Sequence, residues 1–108
     1  MSAAGIGALR ELLVLEQAVR TGDGGGGATV AWEMVAEIWA AVAAISGDER
    51  LAADQVAGRL THTVRIRTRT GVVPAMRFRQ GTRVFHIVAV LEEQRRTRLK
   101  CLCEERFL

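Results

Sequence analysis

The chain has 108 residues, 49% hydrophobic and 25% charged, with 15 Lys and Arg against 12 Asp and Glu for a formal charge of +3. This is the profile of one small domain, too short for two cores, too apolar for disorder, and marginal enough in stability to gain from partner contacts. Glu33 and Glu37 interrupt the longest apolar stretch, residues 30–45, so no run reaches the ~18 residues of a membrane span. The first seven residues lack the basic and apolar regions of a secretory signal, which makes the cytoplasm the expected place of synthesis and assembly.

Along the chain, residues 8–19 fit a helix through Leu9, Leu12 and Leu13, or a strand on which Leu13 and Leu15 share a face. The period leaves both open. The tract Thr21-Gly22-Asp23-Gly24-Gly25-Gly26-Gly27 has almost no side chains to pack and maximal backbone freedom to lose, so a flexible loop or hairpin tip is expected over residues 21–29. It does not match a phosphate-cradling loop, which needs Gly-Lys-Ser/Thr leading into a helix, whereas Ala28-Thr29-Val30 follow here. Over residues 30–45, Trp32, Val35, Ala36, Trp39 and Val42 would line a helix face, while Val30, Trp32, Met34, Ala36 and Ile38 alternate as a strand. Ser46 or Asp48 can cap a short helix over about residues 48–58, with Asp48 and Glu49 in its first turn and Gly58 at its end.

The second half reads as strands. Val64 and Ile66 alternate with Arg65, Arg67 and Arg69; after a loop ending at Pro74, Met76 and Phe78 alternate with Arg77 and Arg79. A turn through Gly81 leads to residues 83–90, where Phe85, Ile87 and Ala89 face one way and Val84, His86, Val88 and Val90 the other. A charged loop over residues 91–97 precedes a last strand carrying Leu99, Cys101 and Cys103. Four antiparallel strands in so short a chain predict a mainly β fold, a small barrel or sandwich.

Cys101 and Cys103 share a strand face and read as reduced core thiols; a zinc set would need both His62 and His86 as its remaining ligands, and there is no C-x-x-C pair. No nucleophile motif or acid–base pair assembles, Tyr is absent, and Asp48 and Glu49 are explained by the helix dipole, so neither an enzyme nor a cofactor is expected. Charge is strongly split: residues 1–58 carry three basic and eight acidic side chains, residues 59–108 twelve basic and four acidic. Such an oriented surface can dock head to tail on a copy of itself or meet a polyanion. Arg65, Arg67, Arg69, Arg77 and Arg79 are expected on one sheet face, as an interface to other subunits or to DNA. The lack of interleaved exposed aromatics favours a solvated or inter-subunit ion-pair face over contact with DNA, which would be to the backbone only.

In this order, Trp32-Glu33, Val35-Ala36-Glu37-Ile38-Trp39, Ser46-Gly47-Asp48-Glu49 with Gln55, Thr63-Val64-Arg65-Ile66-Arg67, Pro74-Ala75-Met76-Arg77, Gly81 with Phe85-His86-Ile87, and Cys103-Glu104-Glu105 resemble the phage head-tail joining proteins. These are the head-closure or stopper subunits of tailed phages and gene-transfer particles. The resemblance implies a small antiparallel β-barrel and makes both early ambiguous segments strands, paired across the glycine tract. Trp32, Trp39, Pro74, Met76, Gly81, Phe85, Ile87 and Cys103 become core or family-motif positions. It further implies a single connector domain over residues 1–108 that forms a ring, sixfold by expectation, beneath the portal and adaptor and above the tail terminator or tail tube. The segment over residues 45–58, with Ser46, Asp48, Glu49, Asp54 and Gln55, would face the channel of packaged double-stranded DNA and help close it. Its carboxylates would repel DNA, as a gate does, rather than grip it. An adaptor or tail-terminator ring of the same particle, and a free-standing nucleic-acid-binding barrel, are the competing readings.

Overall fold

Alternation of apolar and polar residues produces strands throughout the computed structural model, which describes residues 8–45 and 60–107. Six strands form in chain order: β1 (Glu11–Gly22), β2 (Ala28–Ala44), β3 (His62–Arg67), β4 (Arg77–Gln80), β5 (Arg83–Glu93) and β6 (Arg98–Phe107). All neighbours are antiparallel, and the sheet closes into a barrel in the order β1-β2-β3-β6-β5-β4. Closure removes free edges from the barrel wall. Both segments of ambiguous period are strands; Ala-rich β2 adopts extended backbone because pairing with β1 and β3 outweighs its helix propensity. The helix expected over residues 48–58, and Ser46, Asp48, Glu49, Asp54 and Gln55, expected to face the channel, lie outside the described residues.

The barrel interior holds Leu13, Leu15, Ala40, Val64, Ile66, Met76, Phe78, Phe85, Ile87, Leu99, Cys101 and Cys103. Burial of this set from every strand is the main favourable contribution to folding. Burial also raises the Cys101 thiol to about 12 and the Cys103 thiol well above its ordinary value, so both are protonated packing groups. A second, smaller cluster lies outside the wall, where Ile45 and Leu60 pack with Val88 and Leu102.

Two bulges decide which side chains reach these places. On β5 the register shifts between Ile87 and Ala89, leaving Val88 unpaired. Strict alternation would put Val88 and Val90 on one face; the bulge sends Val88 to the outer cluster and Val90 against the core. On β2, Ala36 opposes Leu15 but Met34 opposes Glu16, so Val35 is the extra residue. The expected face of Val30, Trp32, Met34, Ala36 and Ile38 is thereby broken: Ile38 packs toward the core, while Trp32 and Met34 share the outer face with Glu16.

β1 pairs with β4 only from Val14 to Glu16, and β2 pairs with β3 only from Ala40 onward. Beyond those points, among the described residues, the two strands pair only with each other, as a hairpin arm that leaves the barrel in a molecule of extents 56 × 29 × 27 Å. The glycine tract is its tip, shorter than expected, because strand pairing continues to Gly22 and Ala28. Asp23 organises the tip: its Oδ1 accepts from the Gly25 and Gly27 amides at 2.8 and 3.1 Å.

Candidate functional site

Strand order separates the five arginines expected on one face. β3, with Arg65 and Arg67, lies between β2 and β6; β4, with Arg77 and Arg79, lies between β1 and β5. The two pairs occupy different sectors of the barrel, and Arg69 lies past the end of β3. Their surroundings differ as well.

In the β4 sector, Arg77 Nε donates to Glu16 Oε1 at 2.7 Å and Arg79 Nε to Glu16 Oε2 at 3.0 Å. Glu16 is 5% and Arg77 8% exposed, so this is a largely buried carboxylate holding two guanidiniums. Burial pushes the Glu16 carboxyl up, but the hydrogen bonds and charges of Arg77 and Arg79 together outweigh it and hold it below its ordinary value. Trp32 from β2 closes the cluster. Its ring lies 4.1 Å from the Arg77 guanidinium carbon and packs edge-on to His86 at 5.7 Å. His86 is pushed down by burial, then by the positive charges of Arg106 and Arg77. Trp32 therefore fastens the base of the arm to the outside of the barrel rather than filling the interior.

At one barrel mouth, Arg83 Nε donates to Glu105 at 2.5 Å and its guanidinium lies over the Phe85 ring at 4.9 Å. The hydrogen bond to Glu105 raises the Arg83 pKa and lowers that of Glu105. His62 Nδ1 lies 3.7 Å from the same carboxylate. The backbone brings residues 45 and 61 together here: the Ile45 amide donates to Thr61 O at 3.0 Å and the Thr61 amide to Cys103 O at 2.9 Å. With Ile45 and Leu60 both buried, this base is anchored from two sides.

In the β3 sector, Arg65 Nε donates to Glu93 Oε1 at 3.0 Å. Arg67 stands directly opposite Arg98 of β6. No carboxylate among the described residues pairs with Arg67, Arg69, Arg95 or Arg98. An open depression of about 510 Å³ is lined by Arg67, Thr68, Gln94, Thr97 and Arg98. Beside it, a second depression is lined by Leu9, Trp39 and Arg67.

Among the motif positions, Met76, Phe85, Ile87 and Cys103 are buried. Trp39 is not a core residue: it is 55% exposed, because it points outward opposite Leu12, itself 42% exposed. Pro74 and Gly81 are exposed turn residues, and Gly81 holds φ +62, a conformation glycine adopts without strain. Sequence reasoning missed Glu16, Glu93 and Arg98. Glu16 carried a signal, as a lone carboxylate ending the apolar run Leu12-Leu13-Val14-Leu15; the roles of Glu93 and Arg98 depend on register. No group of three or more His, Cys, Asp or Glu among the described residues is placed to hold a metal ion.

Comparison with known proteins now decides the relationship, since the model of the phage head completion protein family matches residues 5–106. The chain belongs to that family. The match embraces all of the first five strands and nearly all of β6. The chain is similar to one in the solved virion of a native gene transfer agent particle, at 38% identity over 93% of this chain and 97% of that one, with a TM-score of 0.68. It is also similar to protein SF1141 from Shigella flexneri 2a, solved in solution, at 29% identity over 93% and 95% of the two chains, with a TM-score of 0.77. No curated protein matches.

Proposed function

We propose that this head completion protein is the head-closure subunit of a phage-like particle. It assembles in the cytoplasm and ends in the particle neck as a ring beneath the portal and adaptor. There it closes the exit channel of the packaged double-stranded DNA and offers a docking surface to the tail terminator or tail tube. The role is structural, with no catalysis and no cofactor. The observation that carries the reading is the family match over residues 5–106, with the near-complete overlap of this chain and its gene-transfer-agent relative in support.

Physical features agree with a ring subunit. The arm carries Met34 at 66%, Val30 at 49% and Val35 at 39% exposure, apolar surface suited to burial against neighbours. Among the described residues its strands have free edges beyond the barrel, and a charge-split subunit can form head-to-tail contacts that close by rotation. Residues 46–59 begin and end at the anchored pair Ile45 and Leu60, a fixed base for a channel-directed segment. Closure of the channel by that segment is part of the proposal.

Electron microscopy of particles from the producing cell tests it. The expected result is a ring of this chain between adaptor and tail tube, with residues 45–58 near the axis. Intact necks without this chain would refute the assignment, and density in the adaptor or terminator ring would move it to that station.

A further inference from the structure

We propose that the end of the barrel formed by β3, β6 and the β5–β6 turn is a phosphate-binding site for the backbone of duplex DNA, with Arg67, Arg98 and Arg95 as its cations. This rests on the reading that the chain lines a DNA channel, and it names the surface that meets the duplex.

The first observation is an unfavourable pairing. Arg67 and Arg98 face each other directly across β3 and β6, on the outside of the wall, where like charges destabilise a strand pair. The acid nearest in register does not relieve them: Glu93 opposes Arg98 across β5 and β6, but its carboxylate is engaged by Arg65 at 3.0 Å. Arg98 Nη1 is left buried with no hydrogen-bond partner. This unanswered cationic donor adds to the positive charge beside Arg67.

The second observation is a shaped and braced recess. Arg67, Thr68, Gln94, Thr97 and Arg98 line the depression of about 510 Å³. Gln94 belongs to the turn Gln94-Arg95-Arg96, three successive non-glycine residues at φ +50, +55 and +68. The turn is held by Thr97 Oγ1 donating to Gln94 O and Thr68 Oγ1 donating to Arg96 O, both at 2.7 Å. The Thr68 amide also donates to Thr97 O at 3.0 Å, tying β3 to the turn. Both hydroxyl groups brace the backbone, which leaves the guanidiniums to meet the ligand.

Charge distribution selects a polyanion over a single carboxylate. Arg67, Arg69, Arg95 and Arg98, spread over two strand ends and the turn, lack a carboxylate partner among the described residues, whereas Arg96 is shared with Glu92 at 3.4 Å. One carboxylate would answer one or two of these groups. A duplex presents a charge about every 1.7 Å of its axis, and guanidinium forks engage phosphate oxygens in pairs. No aromatic side chain among the described residues lines the recess itself, so contact there is to the duplex backbone.

The test is a salt titration of binding to a duplex of about 20 base pairs between about 50 and 200 mM salt, using the full chain. Arg67→Ser and Arg95→Ser remove exposed groups and leave the fold intact by circular dichroism; each is expected to weaken binding several-fold and to flatten the salt slope by about 0.9. Arg106→Ser, at the opposite end of β6, is the control and is expected to leave both unchanged. Equal losses in all three variants would overturn the site in favour of diffuse charge. Absence of duplex binding at low salt, with retention on immobilised polyglutamate, would overturn it in favour of an acidic protein partner. Either failure, beside a neck ring still seen by microscopy, removes this site alone; absence of the ring removes the reading beneath it.

Discussion

The outer faces of β4 and β3 carry arginines in the same alternating pattern and use them in opposite ways. On β4, Arg77 and Arg79 converge on one buried carboxylate, and Trp32 covers the cluster. On β3, Arg65 has Glu93, but Arg67 meets another arginine and an open recess. The difference lies in the neighbouring strand: β1 brings Glu16 beside β4, whereas β6 brings Arg98 beside β3. One arginine face is neutralised within the chain, and on the other Arg67 has no carboxylate partner among the described residues.

Four substitutions or conditions sharpen that contrast. Glu16→Gln strips the shared carboxylate from two guanidiniums, one of them buried, and is expected to cost about 3 kcal/mol or more in denaturant unfolding. A loss below about 1 kcal/mol would show that the cluster is solvated like a surface pair. Trp32→Ala removes the cover over Arg77 and the contact with His86, and about 2 kcal/mol is the expected loss, read as a lowered denaturation midpoint with m unchanged.

The third is a change of pH. The His86 pKa is lower in the folded chain than its ordinary 6.5, so the unfolded chain takes up protons first as pH falls. Its contribution is therefore complete above about pH 6.5 and is lost as pH falls through the folded value. Glu16 acts with the same sign below its ordinary 4.5. Melting temperature is expected to fall between pH 7.5 and 5.5, and His86→Gln to flatten that decline; an unchanged slope would assign it to another group. Smallest is Arg67→Ser, expected to change stability by less than about 0.5 kcal/mol because no acid partners it. A loss of 2 kcal/mol in a thermal melt would make Arg67 structural and erase the contrast between the faces.

Much of this architecture was legible locally. The alternation around Val64 and Ile66, around Phe78, and at Leu99, Cys101 and Cys103 predicted strands whose apolar sides prove buried, since a period of two reports directly on which face meets the core. The glycine tract predicted a hairpin tip, because few other structures suit such a sequence. Residues 30–45 were not legible by period, and only the family resemblance turned them into a strand. Trp39, which looks like a core residue by type, is solvent-facing because its partner Leu12 lies on the outward side of β1.

The sequence by itself determined the elements that depend on near neighbours: strands from alternation, turns at Gly71 and Gly81, and a chain divided into an acidic and a basic half. Only the tertiary structure decided which arginines are neutralised. Glu16 meets Arg77 across sixty-one positions of chain and Arg65 meets Glu93 across twenty-eight, distances set by barrel closure and strand order rather than by local composition. Single-residue bulges at Val35 and Val88 then moved side chains between inside and outside, because in a structure of period two one extra residue reverses every face beyond it.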